Sequence, residues 1–234
     1  MTYFKIQPMT SPAQALPPAI LTARQLGFAT SERTLFNSLS LQIPAGVTLV
    51  CGGEDSGKTT LLRLLANELT AHAGALSING IGLNDQAVAY KEQVFWVAPR
   101  SDAFDQLIVV DYFTTVQHRF PRFDTQLLAD LIEGLSLTEH LNKALYMLSA
   151  GSKRKVWLTA AFASGATVTL LDEPFAALDM ASIRFITELL ADAARHSCRA
   201  WVIADYEAPK GLALAGRIDL DMDSAVLLNH DGTQ

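Results

Sequence analysis

The sequence predicts an α/β domain built around a buried sheet, and three observations carry that prediction. The runs Val47-Thr48-Leu49-Val50-Cys51, Val94-Phe95-Trp96-Val97, Thr167-Val168-Thr169-Leu170-Leu171 and Ala200-Trp201-Val202-Ile203-Ala204 are short, apolar and free of Gly or Pro. Strands covered on both faces have that character. Stretches with helical spacing of apolar residues lie between them. The first run is joined to the first helical stretch by Gly52-Gly53-Glu54-Asp55-Ser56-Gly57-Lys58-Thr59, which fits G-x-x-x-x-G-K-[ST] at every defined position.

Taken in order, residues 1–19 hold Pro8, Pro12, Pro17 and Pro18 among small and polar residues and are expected to form a flexible arm. Residues 20–234 are expected to form a single domain. Ile20 to Phe28 reads as a first strand. Leu35 to Ile43 alternates apolar and polar residues, as a half-buried antiparallel strand does. Pro44-Ala45-Gly46 turns that strand into Val47–Cys51. A helix is expected over 60–69, a short strand over Leu76–Gly80, and a strand over Val94–Val97 stopped by Pro99. From about 105 the character changes. Leu127, Leu128, Leu131, Ile132 and Leu135 recur at helical spacing, and helices are expected over Thr125–Leu135, Thr138–Leu145 and Ser152–Ala163. That block, about 105–163, reads as an inserted helical lobe. Ile183 to Ala194 is a further helix, and the tail from about 208 carries weak signals.

Half of the 234 residues are hydrophobic, ample for a core, and the formal net charge is -6. A phosphate backbone rewards clustered Lys and Arg, so the balance argues against a nucleic-acid partner. Two cysteines, Cys51 and Cys198, make no disulfide framework and suit a reducing, cytoplasmic compartment. No run of about 18 apolar residues offers a membrane span, so no direct membrane insertion is expected and any membrane role comes through a partner.

The glycine-rich loop points to phosphate chemistry. Gly52, Gly53 and Gly57 let the backbone N–H groups of Glu54, Asp55 and Ser56 converge on an anion without a Cβ in the way. The helix that follows, beginning around Thr59 and Thr60, adds unpaired N–H groups and a positive dipole end. Lys58 supplies a charge for the β- and γ-phosphates, and the Thr59 hydroxyl suits Mg²⁺. The strand ending at Leu171 runs into Asp172-Glu173-Pro174. Two carboxylates at such a strand end suit a metal–nucleotide site, Asp172 toward Mg²⁺ and Glu173 as the base that activates water.

Leu148-Ser149-Ala150-Gly151-Ser152-Lys153-Arg154-Lys155 stands about twenty residues before that acid pair, and Ala176-Ala177-Leu178-Asp179 a few residues after it. With these the chain resembles the nucleotide-binding subunits of ATP-binding cassette (ABC) transporters over about residues 20–207. The look is nearest to subunits of ABC-2-type and haem-export systems. The family's signature L-S-G-G-Q is matched by Ser149, Ala150, Gly151 and Ser152, with Ala150 at a glycine position and Ser152 at the glutamine. The resemblance implies a P-loop NTPase fold of ABC-cassette type: a mixed core sheet, an antiparallel β part and the inserted lobe. It implies ATP and Mg²⁺ as ligands, Phe28 stacking on adenine, and a head-to-tail dimer. In that dimer Ser149–Ser152 face the partner's ATP and Asp179 lies in the loop between subunits. It also implies a separate transmembrane permease and a location on the cytoplasmic face of the membrane.

Two positions depart from the family pattern. Arg100 stands where the family has a glutamine, and Asp205 where it has a histidine that meets the γ-phosphate. Two unit charges 4 Å apart interact by roughly 4 kcal/mol at an effective dielectric of 20, so a carboxylate there opposes the triphosphate unless Arg100 or Mg²⁺ offsets it. Two readings stay open: a hydrolysing transporter ATPase, or a hydrolysis-poor partner subunit that binds ATP for regulation or in an asymmetric dimer.

Overall fold

The computed structural model describes residues 18–98, 101–195 and 198–221. Most of the Pro-rich arm, residues 1–17, and Arg100 lie outside the described residues. Two sheets organise the chain. The first is antiparallel. β1 (Ala19–Ala29) pairs with β2 (Thr34–Pro44) on one side and with β4 (Ala73–Ile78) on the other, and β5 (Ile81–Gly82) closes the edge. The second is parallel, in the order β6 (Val94–Trp96), β7 (Val168–Asp172), β8 (Ala200–Ala204), β3 (Gly46–Cys51), β9 (Gly216–Asp219). The antiparallel β part expected beside the core sheet is thus a sheet of its own, linked to the parallel core sheet where Ala45 turns β2 into β3.

Alternation along the parallel strands explains why both faces are covered. Val47, Leu49, Cys51, Phe95, Leu171, Trp201 and Ile203 point into one hydrophobic cluster, which takes in the helical lobe. Val50, Val94, Trp96, Val168, Leu170, Val202 and Ala204 point into the other, which takes in the antiparallel sheet and α1 (Lys58–Leu65). A period of two places successive side chains on opposite faces. The runs look uniformly apolar in sequence because both faces need apolar side chains.

The lobe comprises α3 (Val109–Arg119), α4 (Thr125–Gly134) and α5 (Ala150–Ala163). α4 starts where Asp124 Oδ1 accepts the Leu127 N–H at 2.9 Å, an ordinary N-cap. Its Leu131 is fully buried beside Leu135 and Leu137. The stretch Thr138–Leu145 is not one helix. Two short 3₁₀ turns, Thr138–His140 and Leu145–Met147, flank a segment whose carbonyls accept from α3's first residues: Val109 N–H to Lys143 O, 3.1 Å, and Val110 N–H to Leu141 O, 3.1 Å. α3 itself was masked in sequence by the β-branched run Ile108-Val109-Val110, although Val109, Tyr112, Phe113 and Val116 make a buried helical stripe. The short α2 (Ala87–Lys91), and β9 in the weak tail, complete the elements that sequence patterning did not indicate. Beyond β7 lies α6 (Met180–Ala193).

The lobe is bound to the core sheet at the turn after α5. Gly165 has φ +64°, a left-handed conformation, and a Cβ there would overlap the carbonyl of Arg122 between α3 and α4. Arg122 also donates to Thr167 Oγ1 at 2.6 Å, and the Asp124 N–H donates to Ala163 O at 2.8 Å. Gly165→Ala is therefore expected to destabilise the protein by more than about 1 kcal/mol, because the native backbone conformation does not admit the new side chain. A lower urea midpoint with an unchanged slope is the expected readout.

Candidate active site

β3 lies between β8 and β9 in the sheet, and its C-terminal end delivers the glycine-rich loop to the sheet edge. α1 begins at Lys58 immediately after Gly57, whose φ of 98° turns the chain sharply into the helix. No side chain caps that N-terminus, so its first N–H groups remain available to an anion. Lys58 is 9% exposed, and its Nζ donates to Gly52 O and Gly53 O, both at 2.7 Å. The loop thus holds its own lysine in place by its carbonyls.

Thr59 Oγ1 donates to Asp172 Oδ2 at 2.7 Å, joining α1 to the end of β7. Asp172 is 8% exposed. Burial pushes its carboxyl above the ordinary carboxylate range, and Glu173 pushes the same way. The Thr59 hydroxyl, Arg154 and Lys58 oppose the shift. Glu173 sits at φ 46°, uncommon for a residue with a Cβ, and its N–H donates to Ala204 O at the end of β8. That bond and the Arg154 guanidinium, which donates to the carbonyls of both Asp172 and Glu173, hold the turn in this conformation. Strain of this kind gathers where a side chain must face a particular way.

A cleft of about 780 Å³ opens over these groups. Glu54 to Thr60 form its floor, with Glu173 and Tyr206 beside them. Thr30, Glu32, Arg33 and Leu35, from the β1–β2 connection, form the far wall. Arg33 donates to the Asp55 carbonyl and so ties that wall to the loop tip. Phe28 is not among the lining residues. Its ring stacks on His72, centroids 5.2 Å apart, because β4 lies beside β1 and the chain just before it presents a ring there. The side chains that the β1–β2 connection does present to the cleft carry no aromatic ring.

Asp205 follows β8. Its N–H donates to Val50 O at 3.1 Å, and its Oδ1 accepts the Tyr206 N–H at 2.8 Å. Burial pushes its carboxyl above the ordinary range, and Glu173 and Glu207 add to the shift. The Tyr206 N–H and Lys58 oppose it. The carboxylate is close enough to Glu173 and Lys58 to feel both, yet the side chain that lines the cleft here is Tyr206. Arg100, the expected offset to this carboxylate, lies outside the described residues.

Ser149–Ser152 open α5. Ser149 Oγ accepts the Ser152 N–H at 3.1 Å and lies 3.0 Å from Ser152 Oγ. Ala150 is the first residue of the helix, and Gly151 passes so close to the Ala177 carbonyl that a Cβ would overlap it. The three cations that follow are each engaged within the chain. Lys153 pairs with Asp105 at 2.6 Å, Arg154 grips the Asp172–Glu173 turn, and Lys155 pairs with Asp179 at 2.8 Å. Asp179 also caps α6 through the Ser182 N–H at 2.8 Å. The Lys155 ammonium and the Ser182 bonds hold its carboxyl well below the usual range. The three cations thus point in three directions, each toward a partner within the chain. The segment 149–152 does not line the 780 Å³ cleft.

One residue at this site left no signal in the sequence. The Gly53 N–H donates to Asp221 Oδ2 at 2.8 Å, so the tail after β9 supports the loop from behind. Only its position two residues beyond the end of an edge strand gives Asp221 its role, and β9 itself was not legible.

The raised Asp172 carboxyl has a consequence for stability. Its folded pKa lies above its unfolded value, so the folded state binds more protons between the two, and stability falls as pH rises through that window. At neutral pH the ionised, buried group is a cost, and below about pH 4 that cost is gone. Asp172→Asn keeps an acceptor for Thr59. It is expected to raise the urea midpoint of the ligand-free protein at neutral pH, with the gain shrinking toward pH 4. A gain that persisted unchanged at pH 4 would assign it to packing instead.

Comparison with known proteins accords with this geometry. A family model described as "ABC transporter" matches residues 36–176. The chain is 32% identical over 181 residues to the cytochrome c biogenesis ATP-binding export protein CcmA of Idiomarina loihiensis, covering 77% of this chain and 82% of that one. It is 27% identical to the iron(3+)-hydroxamate import ATP-binding protein FhuC of Bacillus subtilis, covering 73% and 66%. Among solved structures, an ATP-binding subunit of an ABC transporter superposes with a TM-score of 0.77 at 18% identity, covering 86% of this chain and 85% of that one. An ATP-binding cassette in a dimeric, post-hydrolysis state with ADP and Pi superposes at 0.75 and 17% identity, covering 91% and 100%. The sheet order, the loop and acid pair joined by Thr59 and Asp172, and these matches lead to one conclusion: the chain belongs to the ABC transporter family, as one of its ATP-binding, ATPase-type subunits.

Proposed function

We propose that this chain hydrolyses ATP in the cleft over Gly52–Thr60 and transmits the result to a separate membrane permease, working as a head-to-tail dimer. The observation that carries the proposal is the 2.7 Å bond between Thr59 Oγ1 and Asp172 Oδ2, with Glu173 lining the cleft beside it. It gathers a phosphate loop, a hydroxyl, a buried carboxylate and a second carboxylate at one sheet edge, which is the set that phosphoryl transfer to water needs.

Each group then has a task. The α1 N–H groups and the Lys58 ammonium receive the phosphates. A phosphate oxygen offers the ammonium a charged acceptor beside the two neutral carbonyls that hold it. Glu173 takes the proton from the attacking water, and its turn, held by Arg154 and by Ala204 O, keeps the carboxylate oriented. Thr59 and Asp172 fit Mg²⁺: both offer oxygen, and Mg²⁺ is commonly held by one or two protein oxygens with waters and substrate phosphates. When bound, Mg²⁺ neutralises charge on the phosphate oxygens. Removing Mg²⁺ is accordingly expected to weaken ATP binding.

Ser149 and the N-terminus of α5 make a second anion-receptive end outside this cleft. It suits the ATP of a second copy, with Asp179 in the loop between the subunits. No helix among the described residues is long and apolar enough to cross a membrane. In this reading the permease is a separate chain, and the subunit docks on its cytoplasmic side. A second reading, a hydrolysis-poor partner subunit, is favoured by one observation, the carboxylate of Asp205 in place of a γ-phosphate histidine. Turnover and affinity measured on the same preparation separate the two.

Lys58→Ala is expected to weaken Mg-ATP binding more than about tenfold, the loss of a charge-assisted contact, while leaving the urea midpoint near that of wild type. Equal affinity would remove the loop from the site. Glu173→Gln is expected to lower turnover by about 10²–10⁴-fold and to retain ATP binding. In sedimentation it should accumulate a Mg-ATP-dependent dimer, and a mutant as fast as wild type would disqualify Glu173 as the base.

A further inference from the structure

We propose that the Tyr206 ring is a positioning group for Lys58, forming with the Gly52 and Gly53 carbonyls a three-sided seat that presents the ammonium to the incoming phosphate. The inference rests on the reading of this cleft as an ATP site. Lys58 Nζ lies 2.7 Å from each carbonyl oxygen and 4.6 Å from the centroid of the Tyr206 ring. The carbonyls hold it from the loop, and the ring stands beside it in the cleft that both residues line. The ring lines that cleft and is 56% exposed, whereas Lys58 is only 9% exposed. The aromatic face thus fills one side of the ammonium that water would otherwise occupy.

An ammonium is a compact, strongly hydrated charge on a flexible stem, and it must shed water to meet a phosphate. A ring face attracts the cation through its quadrupole but competes with phosphate far less than a carboxylate would. The seat therefore removes part of the ordering and dehydration cost before the nucleotide arrives, which is how preorganisation raises affinity.

The strap that carries the ring is itself fixed. The Tyr206 N–H donates to Asp205 Oδ1 at 2.8 Å, and the Asp205 N–H donates to Val50 O at 3.1 Å, on the strand that feeds the loop. Asp205 thereby acquires a role other than facing a γ-phosphate. It fixes Tyr206 relative to the strand that feeds the loop, and so relative to Lys58.

The test compares wild type with Tyr206→Leu, which keeps apolar bulk and loses the ring, and Tyr206→Phe, which keeps the ring and loses the hydroxyl. Steady-state kinetics with Mg-ATP is read beside the proton shifts of the Lys58 side-chain methylene next to nitrogen in ligand-free protein. Leu is expected to raise KM about three- to tenfold, the range of a partly desolvated cation–π contact, with a smaller change in kcat. Phe should recover most of that loss. The Lys58 methylene should show an upfield ring-current shift in wild type and Phe that disappears in Leu. A Leu variant with wild-type KM, or a Phe variant impaired as much as Leu, overturns the proposal. So does a Lys58 shift indifferent to the ring. If wild type turns over no ATP, the assignment of the site fails, and the Lys58 shift still decides whether the seat exists.

Discussion

The bond between the Thr59 hydroxyl and the Asp172 carboxylate spans 113 positions of sequence, and the rest of the site depends on it. Its geometry is set by the parallel sheet. β3 and β7 both pair with β8, so the glycine-rich loop and the acid pair leave the same edge on either side of one strand. Loops at the C-terminal ends of parallel strands are where such folds gather their ligands. A buried carboxylate needs a hydrogen-bond partner, and α1 supplies one from its second residue. The same bond opposes the rise in Asp172's pKa that burial causes, and so helps keep the charge available for a cation.

α5 is the second organising element, and it works through its cations. Lys153, Arg154 and Lys155 are adjacent in sequence, so helical geometry sends them about 100° apart around the axis. One reaches Asp105 in the lobe, one the Asp172–Glu173 turn, and one Asp179 before α6. A single helix thus touches the lobe, the acid pair and the loop after it. The lobe and the turn that carries Glu173 are thus joined by contacts of one helix. Arg154 matters most here, since a guanidinium offers several donors in a rigid fork and can hold two carbonyls at once.

The charge around the cleft is unusual for a phosphate site. Glu32, Glu54, Asp55 and Glu173 line it against Arg33 and Lys58. Close approach of a polyanion then depends on how well the few cations are oriented and on a divalent ion. In this setting the placement of one ammonium carries weight, and both the loop carbonyls and the Tyr206 ring act on it.

The sequence by itself determined the parts of the proposed site: the loop Gly52–Thr59, the strand running into Asp172-Glu173, and the helix expected from Ser152, which the structure begins at Ala150. These are local patterns, in which spacing of a few residues and a change of hydrophobic period carry the information. It also determined most of the buried strands, because a strand covered on both faces needs apolar residues throughout. Only the tertiary structure decided which side chains face the cleft. Phe28 turns to His72 because β4 is its neighbour, and Tyr206 faces Lys58 because Asp205 folds back to hold its N–H. The role of Asp221, two residues beyond an edge strand too short to read, and the breaking of Thr138–Leu145 by its pairing with α3 have the same origin. Each depends on which group, distant in sequence, lies alongside once the strands have paired, and local sequence does not encode that distance.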